Sequence, residues 1–227
     1  MLGAIPRRHR LIFDMDGMYN PVIQLDGYDF NHLSTAERDR WIEYFDALAD
    51  SVAKPTIAKP DNPRVKSMIF YGYDPALEME PALAPPKQYD ILHLGHNWWR
   101  WREIEAQLLP GFEQVRDQLG EIGFIGLWWD KPPAEGPDAG PQAAFRSDAE
   151  RFRRLRIRTE ASVMYTDVIR TMSAARINIF TQRPVLHHLK HLTLKYFEIF
   201  YADTIPLLML DEDVALAVYG PHARELL

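Results

Sequence analysis

The sequence has no cysteine, which excludes disulfide bonds, thiolate metal sites and cysteine nucleophiles. It has no apolar run that approaches the roughly 18 residues of a membrane-spanning helix, and its first ten residues lack the apolar core of a signal peptide. The formal net charge of −6 argues against a broad nucleic-acid surface. We therefore expect a cytoplasmic protein with no membrane span and no nucleic-acid partner.

Apolar and proline-rich stretches divide the chain. Its 227 residues are 47% hydrophobic and 12% aromatic, which indicates a packed core of one large domain or two small ones. Residues 72–88 are rich in proline and read as a linker, so we place a domain boundary at residue 88. This predicts an N-terminal segment with an interdomain crossing at residues 1–87 and a second domain at residues 88–227.

Short apolar runs alternate with helical patterns along the second domain. This alternation predicts an α/β fold, in which a Rossmann-like parallel sheet carries helices on both faces. The predicted strands of this domain are Asp90 to Leu94, Ile122 to Leu127, Arg154 to Arg158, Ile177 to Phe180 and Ile205 to Leu210. Capping boxes that begin at Ser34 and at Ser147 predict the starts of two helices.

The stretch from residue 172 to residue 210 favours a nucleotide site. A strand that ends at Phe180 leads through a broken loop into a short helix, which we expect Thr193 to cap. In a doubly wound sheet, phosphates bind at such a loop and at the start of the helix that follows it. Glu198 lies inside this helix, and a carboxylate accepts hydrogen bonds from the vicinal hydroxyls of a ribose.

Two segments of the sequence resemble CgeB-like glycosyltransferases. Residues 89–101 (YDILHLGHNWWRW) are similar to the first strand and turn of the family's C-terminal domain, and residues 172–210 are similar to its donor-binding core. The matching positions in the second segment are Thr193, Lys195, Phe197, Glu198, Ala202 and Pro206. The resemblance implies a GT-B architecture, in which two Rossmann-like domains face each other across a cleft. Residues 88–227 would then be the nucleotide-sugar-binding domain.

The resemblance also implies a role for each site residue. Glu198 would bind the donor ribose, Thr193 and the amides around it would meet the diphosphate, and Lys195 would stabilise the leaving diphosphate as a catalytic residue. Arg183 would be a second phosphate contact, and His96 is the candidate catalytic base. The cleft floor would consist of Gly95, His96 and Asn97.

The implied reaction is transfer of a sugar from a nucleoside-diphosphate donor to an unknown acceptor, with no obligatory metal or other cofactor. The sequence departs from the family at Lys190, where many relatives carry a second carboxylate, and at Lys195, where an arginine would form a planar fork. Residues 1–87 supply only part of an acceptor domain. We therefore expect a homo-oligomer or a partner domain to complete the cleft.

The N-terminal stretch supports a rival hypothesis. Residues 11–17 (LIFDMDG) match the first motif of haloacid-dehalogenase-like phosphatases, with Asp14 as nucleophile, Asp16 as acid and base, and Mg²⁺ as cofactor. Met18 departs from the usual threonine of this motif. Candidates for the remaining motifs are Thr181, Lys190 or Lys195, and Asp211 with Asp213. A third hypothesis is a non-catalytic module that binds a nucleotide-sugar.

Histidine and tryptophan clusters leave two further alternatives. The run His187, His188 and His191 contains an i, i+4 imidazole pair, but the glutamate of H-E-x-x-H is absent, so we favour a polar loop and expect no metal site. The clustered tryptophans are Trp98, Trp99, Trp101, Trp128 and Trp129. They either form an aromatic wall on which a sugar stacks or bury a seam between domains or copies of the chain.

Overall fold

The structure, a computed structural model, describes residues 4–20, 24–25, 28–29, 35–130 and 144–225. Its contacts divide the chain into two compact units, each assembled from separate stretches of sequence. The first unit comprises Met1–Gly72, Pro184–Thr193 and Glu212–Leu226. The second unit comprises Tyr73–Arg183 and Leu194–Asp211. The boundary that we placed at residue 88 stays a prediction, because compactness of contacts does not measure independent folding.

The strands are short and mostly apolar. In chain order they are β1 (Leu11–Phe13), β2 (Gln24–Leu25), β3 (Tyr28–Asp29), β4 (Ser51–Lys54), β5 (Val65–Ser67), β6 (Tyr89–Leu94), β7 (Ile122–Ile125), β8 (Ile157–Glu160), β9 (Ala175–Phe180) and β10 (Ile205–Leu208). Among the strands of the described residues, every pair is parallel except β2 with β3. The α/β class with parallel sheets flanked by helices is therefore confirmed.

Helices connect most of these strands. The α-helices are α1 (Thr35–Leu48), α2 (Trp101–Glu103), α3 (Leu109–Val115), α4 (Ala149–Arg154), α5 (Val168–Ser173), α6 (Pro184–His188), α7 (Lys195–Tyr201) and α8 (Glu212–Tyr219). A π-helical turn, Ile104–Leu108, joins α2 to α3. Single 3₁₀ turns lie at Arg7–His9, Pro75–Leu77, Pro81–Leu83, Arg116–Gln118, Tyr165–Asp167 and Pro221–Glu225.

The first unit contains a three-stranded parallel sheet in the order β1-β4-β5. Its register pairs Ile12 with Val52, and Val52 with Val65. The core of this unit forms where Val52 and Val65 pack with Tyr19 and Phe45, whose rings stack. Burial of these side chains holds α1 and the loop after β1 to the sheet.

The second unit contains a five-stranded parallel sheet in the order β10-β9-β6-β7-β8. Both faces of its central strand are buried: Ile91 joins a cluster with Phe124 and Trp129, and Leu92 joins a second cluster with Met172. Because successive strand residues point to opposite faces, two covered faces require an almost continuous apolar strand. The sequence of β6 is of this kind.

The strand order of the second unit contains a switch point, the position at which open parallel sheets bind ligands. The chain runs from β6 outward to β7 and β8, and then returns to place β9 and β10 on the other side of β6. The order therefore reverses between β6 and β9. Open parallel sheets bind ligands at such a switch point, beyond the carboxyl ends of the strands.

Proline is tolerated in β10 because this strand lies at the sheet edge. The N–H of Met209 donates to the carbonyl oxygen of Phe180 at 3.1 Å. Alternate strand residues direct their N–H groups to the same side, so the backbone nitrogen of Pro206 faces away from β9. The N–H that proline lacks would have pointed off the edge, and no bond between β9 and β10 is lost.

Several helix ends differ from those that the sequence predicts. Asp148, not Ser147, caps α4 by accepting the N–H of Arg151, and Ser147 donates to the carbonyl oxygen of Trp129 instead. Leu194, not Thr193, is the N-cap of α7, and it makes no side-chain capping bond. The predicted cap Ser34 lies outside the described residues. Within the described ranges, no helix is both long and apolar enough to cross a membrane.

Candidate functional site

The candidate site is the carboxyl edge of the second unit's sheet, at the switch point. Strand β6 runs into residues 95–97, and β9 runs into residues 181–183. These two loops follow neighbouring strands, so parallel pairing brings them to one edge. Five of the predicted site residues lie on these loops or at the start of α7: Gly95, His96, Asn97, Arg183 and Lys195.

Arg100 ties the two loops together. Its Nε donates to the carbonyl oxygen of Thr181 at 3.2 Å, and its Nη1 donates to the carbonyl oxygen of His96 at 2.7 Å. Burial and the nearby charge of Arg183 lower the pKa of Arg100 to about 9, with Glu103 opposing the shift. The sequence analysis missed Arg100. Its signal was a basic residue one turn beyond the first strand of the sheet.

Lys195 brings a third cation to this edge. It is the first residue of α7, and its Nζ donates to the carbonyl oxygen of Leu94, the last residue of β6, at 2.8 Å. Burial lowers the pKa of Lys195 to about 8, although Glu198 favours the charged form and Arg100 disfavours it further. Two loops and one helix start therefore present Arg100, Arg183 and Lys195 together.

The charge at this edge favours an anion. Arg183 lowers the pKa of Arg100, and Arg100 lowers that of Lys195, because like charges lie close together. The carboxylates that oppose these shifts are Glu103 for Arg100 and Glu198 for Lys195. An anion would relieve the repulsion between these like charges, and it would be bound more strongly in such a partly dehydrated setting than at an open surface.

His96 is placed as a hydrogen-bond donor. Its Nδ1 accepts the N–H of Leu127 at 3.0 Å, so the proton of the neutral ring lies on Nε2. Burial, and then the charges of Arg100, Lys195 and Arg183, lower the pKa of His96. An imidazole that carries its proton on the remaining nitrogen donates to an anion and does not accept a proton there. This tautomer favours a binding role; the predicted role as catalytic base stays a prediction.

Glu198 is enclosed. It is 7% exposed and lines a cavity of about 10 Å³, the size of one water molecule, together with Lys195 and Asn178. Burial raises the pKa of Glu198, and Lys195 opposes this shift. The predicted contact of Glu198 with a ribose stays a prediction. In the described structure, Glu198 acts on Lys195.

Gly95 and Asn97 support the loops of the site. Asn97 is fully buried, and its Nδ2 donates to the carbonyl oxygens of Trp128, Phe145 and Arg146 at 3.0, 3.1 and 2.8 Å. The carbonyl oxygen of Gly95 accepts from Nε1 of Trp129 at 2.7 Å. Thr193, the remaining predicted site residue, is assigned to the first unit, so the site described in the second unit does not include it.

The tryptophans divide between the core and the site. Trp99, Trp101 and Trp129 are buried. Trp98 and Trp128 are half-buried and follow β6 and β7 at the same edge as the cations. Trp99, Trp101 and Trp129 therefore belong to the core. The predicted aromatic wall is left with Trp98 and Trp128 alone.

Asp14, the predicted phosphatase nucleophile, lies in the first unit and accepts hydrogen bonds from the loop that follows β1. The carboxyl oxygens of Asp14 accept the N–H groups of Met18 at 2.8 Å and Tyr19 at 2.9 Å, and Nζ of Lys54 lies 4.0 Å away. Lys54 in turn donates to the carbonyl oxygen of Tyr19 at 2.6 Å and to Oδ1 of Asn20 at 2.8 Å. Burial raises the pKa of Asp14. These contacts fold residues 14–20 over the end of β1.

The phosphatase motifs do not assemble on one sheet. Asp14 follows β1 of the three-stranded sheet, and Thr181 follows β9 of the five-stranded sheet. Lys190 and Asp213 pair with each other in the first unit. Asp14, Lys190 and Asp213 belong to the first unit and Thr181 to the second, and the phosphatase hypothesis stays a prediction.

Neither a metal-binding group among the described residues nor a match to another protein helps to assign a function to this site. In the part of the chain that the structure describes, no group of three or more histidine, aspartate or glutamate side chains is placed to hold a metal ion. Comparison with known proteins gives no match to a family model, to a curated protein or to a solved structure. The resemblance to CgeB-like glycosyltransferases therefore stays a prediction from the two segments that carry it.

Proposed function

We propose that this chain binds the diphosphate of a nucleoside-diphosphate sugar at the carboxyl edge of its five-stranded sheet and acts in glycosyl transfer. The observation that carries the proposal is the convergence of Arg100, Arg183 and Lys195 at the switch point. This charge and position support a phosphate-bearing ligand. The transfer of a sugar rests in addition on the resemblance of residues 89–101 and 172–210 to CgeB-like enzymes.

A diphosphate matches the chemistry of the three cations. Arginine presents a planar fork of donors that suits phosphate oxygens, and lysine presents a compact point charge. His96 adds a neutral N–H donor beside them. A ligand with two linked phosphates uses several such donors at once, which a single carboxylate does not.

The same cations would assist the chemical step. In glycosyl transfer, an acceptor oxygen bonds to the anomeric carbon and gives its proton to water, and the bond from that carbon to the diphosphate oxygen breaks. The leaving diphosphate takes the bonding electron pair and gains negative charge. Fixed positive groups at that position stabilise the transition state more than the ground state. Lys195 and Arg183 have this role in the proposal.

The test compares two arginines at opposite ends of β9. Isothermal titration calorimetry would measure the binding of inorganic diphosphate and of UDP, GDP, ADP and TDP. Arg183 follows the carboxyl end of the strand, whereas Arg176 lies near its amino end in an exposed ion pair with Asp90. We expect Arg183→Gln to weaken diphosphate binding about tenfold, since a charge-assisted hydrogen bond contributes about 1.5–3 kcal/mol. Arg176→Gln should bind like the wild type.

Equal losses in the two variants, or no binding of any diphosphate by the wild type, would contradict the proposal. A second assay follows release of nucleoside diphosphate from its sugar conjugates. Turnover would distinguish a glycosyltransferase from a non-catalytic module that binds nucleotide-sugars. Binding that is lost in Arg183→Gln without any turnover would support the module.

A further inference from the structure

Two half-buried tryptophans and a phenylalanine form an aromatic platform at the same edge of the second unit. The platform consists of Trp98, Trp128 and Phe145. The ring centroids of Trp98 and Trp128 are 5.4 Å apart, and that of Phe145 lies 4.5 Å from Trp128 and 4.9 Å from Trp98. Each ring contacts the other two and is half-buried, so the three form one apolar cluster that is partly exposed.

The backbone beneath the platform is held in place. Trp128 has a φ of 71°, in the left-handed region that side chains rarely adopt. The buried amide of Asn97 donates to the carbonyl oxygens of both Trp128 and Phe145. One side chain therefore holds the backbone of two ring-bearing residues. Strained backbone that the surroundings maintain is typical of ligand sites.

His96 connects the platform to the cations. Its ring meets that of Trp128 edge to face, with centroids 5.6 Å apart. The carbonyl oxygen of His96 accepts a hydrogen bond from Nη1 of Arg100 at 2.7 Å, and the charges of Arg100, Lys195 and Arg183 lower the pKa of the imidazole. The aromatic platform and the anion site are therefore adjacent parts of one surface. A ligand that fills both has a flat ring at one end and phosphates at the other.

We propose that the aromatic platform stacks the base of the nucleotide whose diphosphate occupies the cations; this inference rests on the proposed function. A base requires an apolar surface for its face, which the three rings supply. A sugar ring is the alternative occupant of the platform, and the experiment below distinguishes it from a base. Stacking on indole rings accepts every base, because each base has a π face.

The test separates the base from the phosphates. Calorimetry would compare ADP, UDP and GDP with inorganic diphosphate and glucose 1-phosphate. Two variants remove rings: Trp98→Ala, and Trp128→Asn, since asparagine tolerates a positive φ. Trp41→Ala, at an exposed ring of α1, is the control. We expect each platform variant to bind the nucleotides about tenfold more weakly, with unchanged affinity for inorganic diphosphate, and the control to bind like the wild type.

Unchanged nucleotide affinity in both platform variants would overturn the inference while leaving the proposed function intact. A loss confined to glucose 1-phosphate would also overturn it and would assign the platform to a sugar. Failure of the proposed function has a different signature, because the wild type would then bind neither inorganic diphosphate nor nucleotides. Melting curves by circular dichroism would confirm that each variant is folded.

Discussion

At the scale of single residues, Lys195 has the most informative surroundings. Its ammonium group donates to the carbonyl oxygen of Leu94 at the end of β6, and the charges of Glu198 and Arg100 shift its pKa in opposite directions. Burial disfavours its charge, and the residue remains cationic at neutral pH because its pKa stops near 8. A lysine in this state loses its proton within an accessible pH range, which an arginine of ordinary pKa does not.

The pH dependence of anion binding follows from this value. Lys195 is charged below its pKa of about 8, so diphosphate affinity should be highest below pH 8 and should fall as the pH rises toward 9. A bound anion favours the charged lysine, and binding near pH 8 should therefore take up protons. Calorimetry in two buffers of different ionisation enthalpy would measure this uptake.

Lys195→Arg is the matched variant for this prediction. Arginine keeps its charge to higher pH, so the variant should lose less affinity than the wild type between pH 7.5 and 9. Arg100, with a pKa of about 9, titrates in both proteins and cancels in the comparison. Parallel pH profiles would show that Lys195 does not contribute its charge to the site.

At the scale of elements, the loops after β6 and β7 approach each other too closely for a side chain. Gly126 has a φ of 153°, and a Cβ placed there would lie 2.2 Å from the carbonyl oxygen of Gly95. That oxygen also accepts from Trp129, which is packed in the core. The loop after β6 therefore has no room to move away.

Gly126→Ala should lower the free energy of unfolding by about 2–4 kcal/mol, in the range of substitutions that force backbone apart. Gly111→Ala is the opposite control, since Gly111 lies on the exposed side of α3 with no atom within 4 Å of an added Cβ. Alanine there should raise stability by about 0.5–1 kcal/mol. Urea denaturation would measure both changes. If both substitutions changed the free energy of unfolding in the same direction, the close approach of the two loops would not explain the effect at Gly126.

The start of α7 shows how far local signals extend. Thr193 has the chemistry of an N-cap, but the helix begins at Lys195 and Leu194 occupies the cap position. Lys195 instead uses its side chain to reach β6 across the sheet. Capping preferences act over one turn, whereas this bond joins residues that are far apart in sequence. The local pattern predicted the helix and missed its exact start.

At the scale of the whole molecule, each unit is built from distant stretches of the chain. In the first unit, Oγ1 of Thr56 donates to the carbonyl oxygen of Leu189 at 2.8 Å. The N–H of Leu192 donates to the carbonyl oxygen of Pro55 at 2.6 Å. Thr56 also forms a β-bridge with His191. A chain cut at the predicted boundary, residue 88, would separate all three pairs of partners.

We therefore expect the fragment of residues 1–87 to fold poorly by itself. Its three-stranded sheet would lack the covering residues 184–193 and 212–226. Circular dichroism and hydrogen exchange should show weak protection of β4 in the fragment, and mixing with residues 88–227 should restore protection. Cooperative melting of residues 1–87 alone would instead establish residue 88 as a true domain boundary.

The sequence by itself determined the α/β class, because hydrophobic periodicity is a local property that the side chains carry. It located β6, β7, β9 and β10 to within a few residues, and it selected Lys195 and Arg183 as basic residues next to a strand end. It missed β4, which is four residues long and is followed directly by Pro55. A short strand flanked by breakers has too little pattern to be distinguished from a loop.

Only the tertiary structure decided which charges meet. Arg100 and Arg183 converge because β6 and β9 are neighbours, and that pairing depends on a strand order that periodicity does not encode. Burial likewise separated the tryptophans of the core from those of the aromatic platform, and it enclosed Glu198. The sequence contains each of these residues, but their environments arise from long-range packing and are set only when the chain is folded.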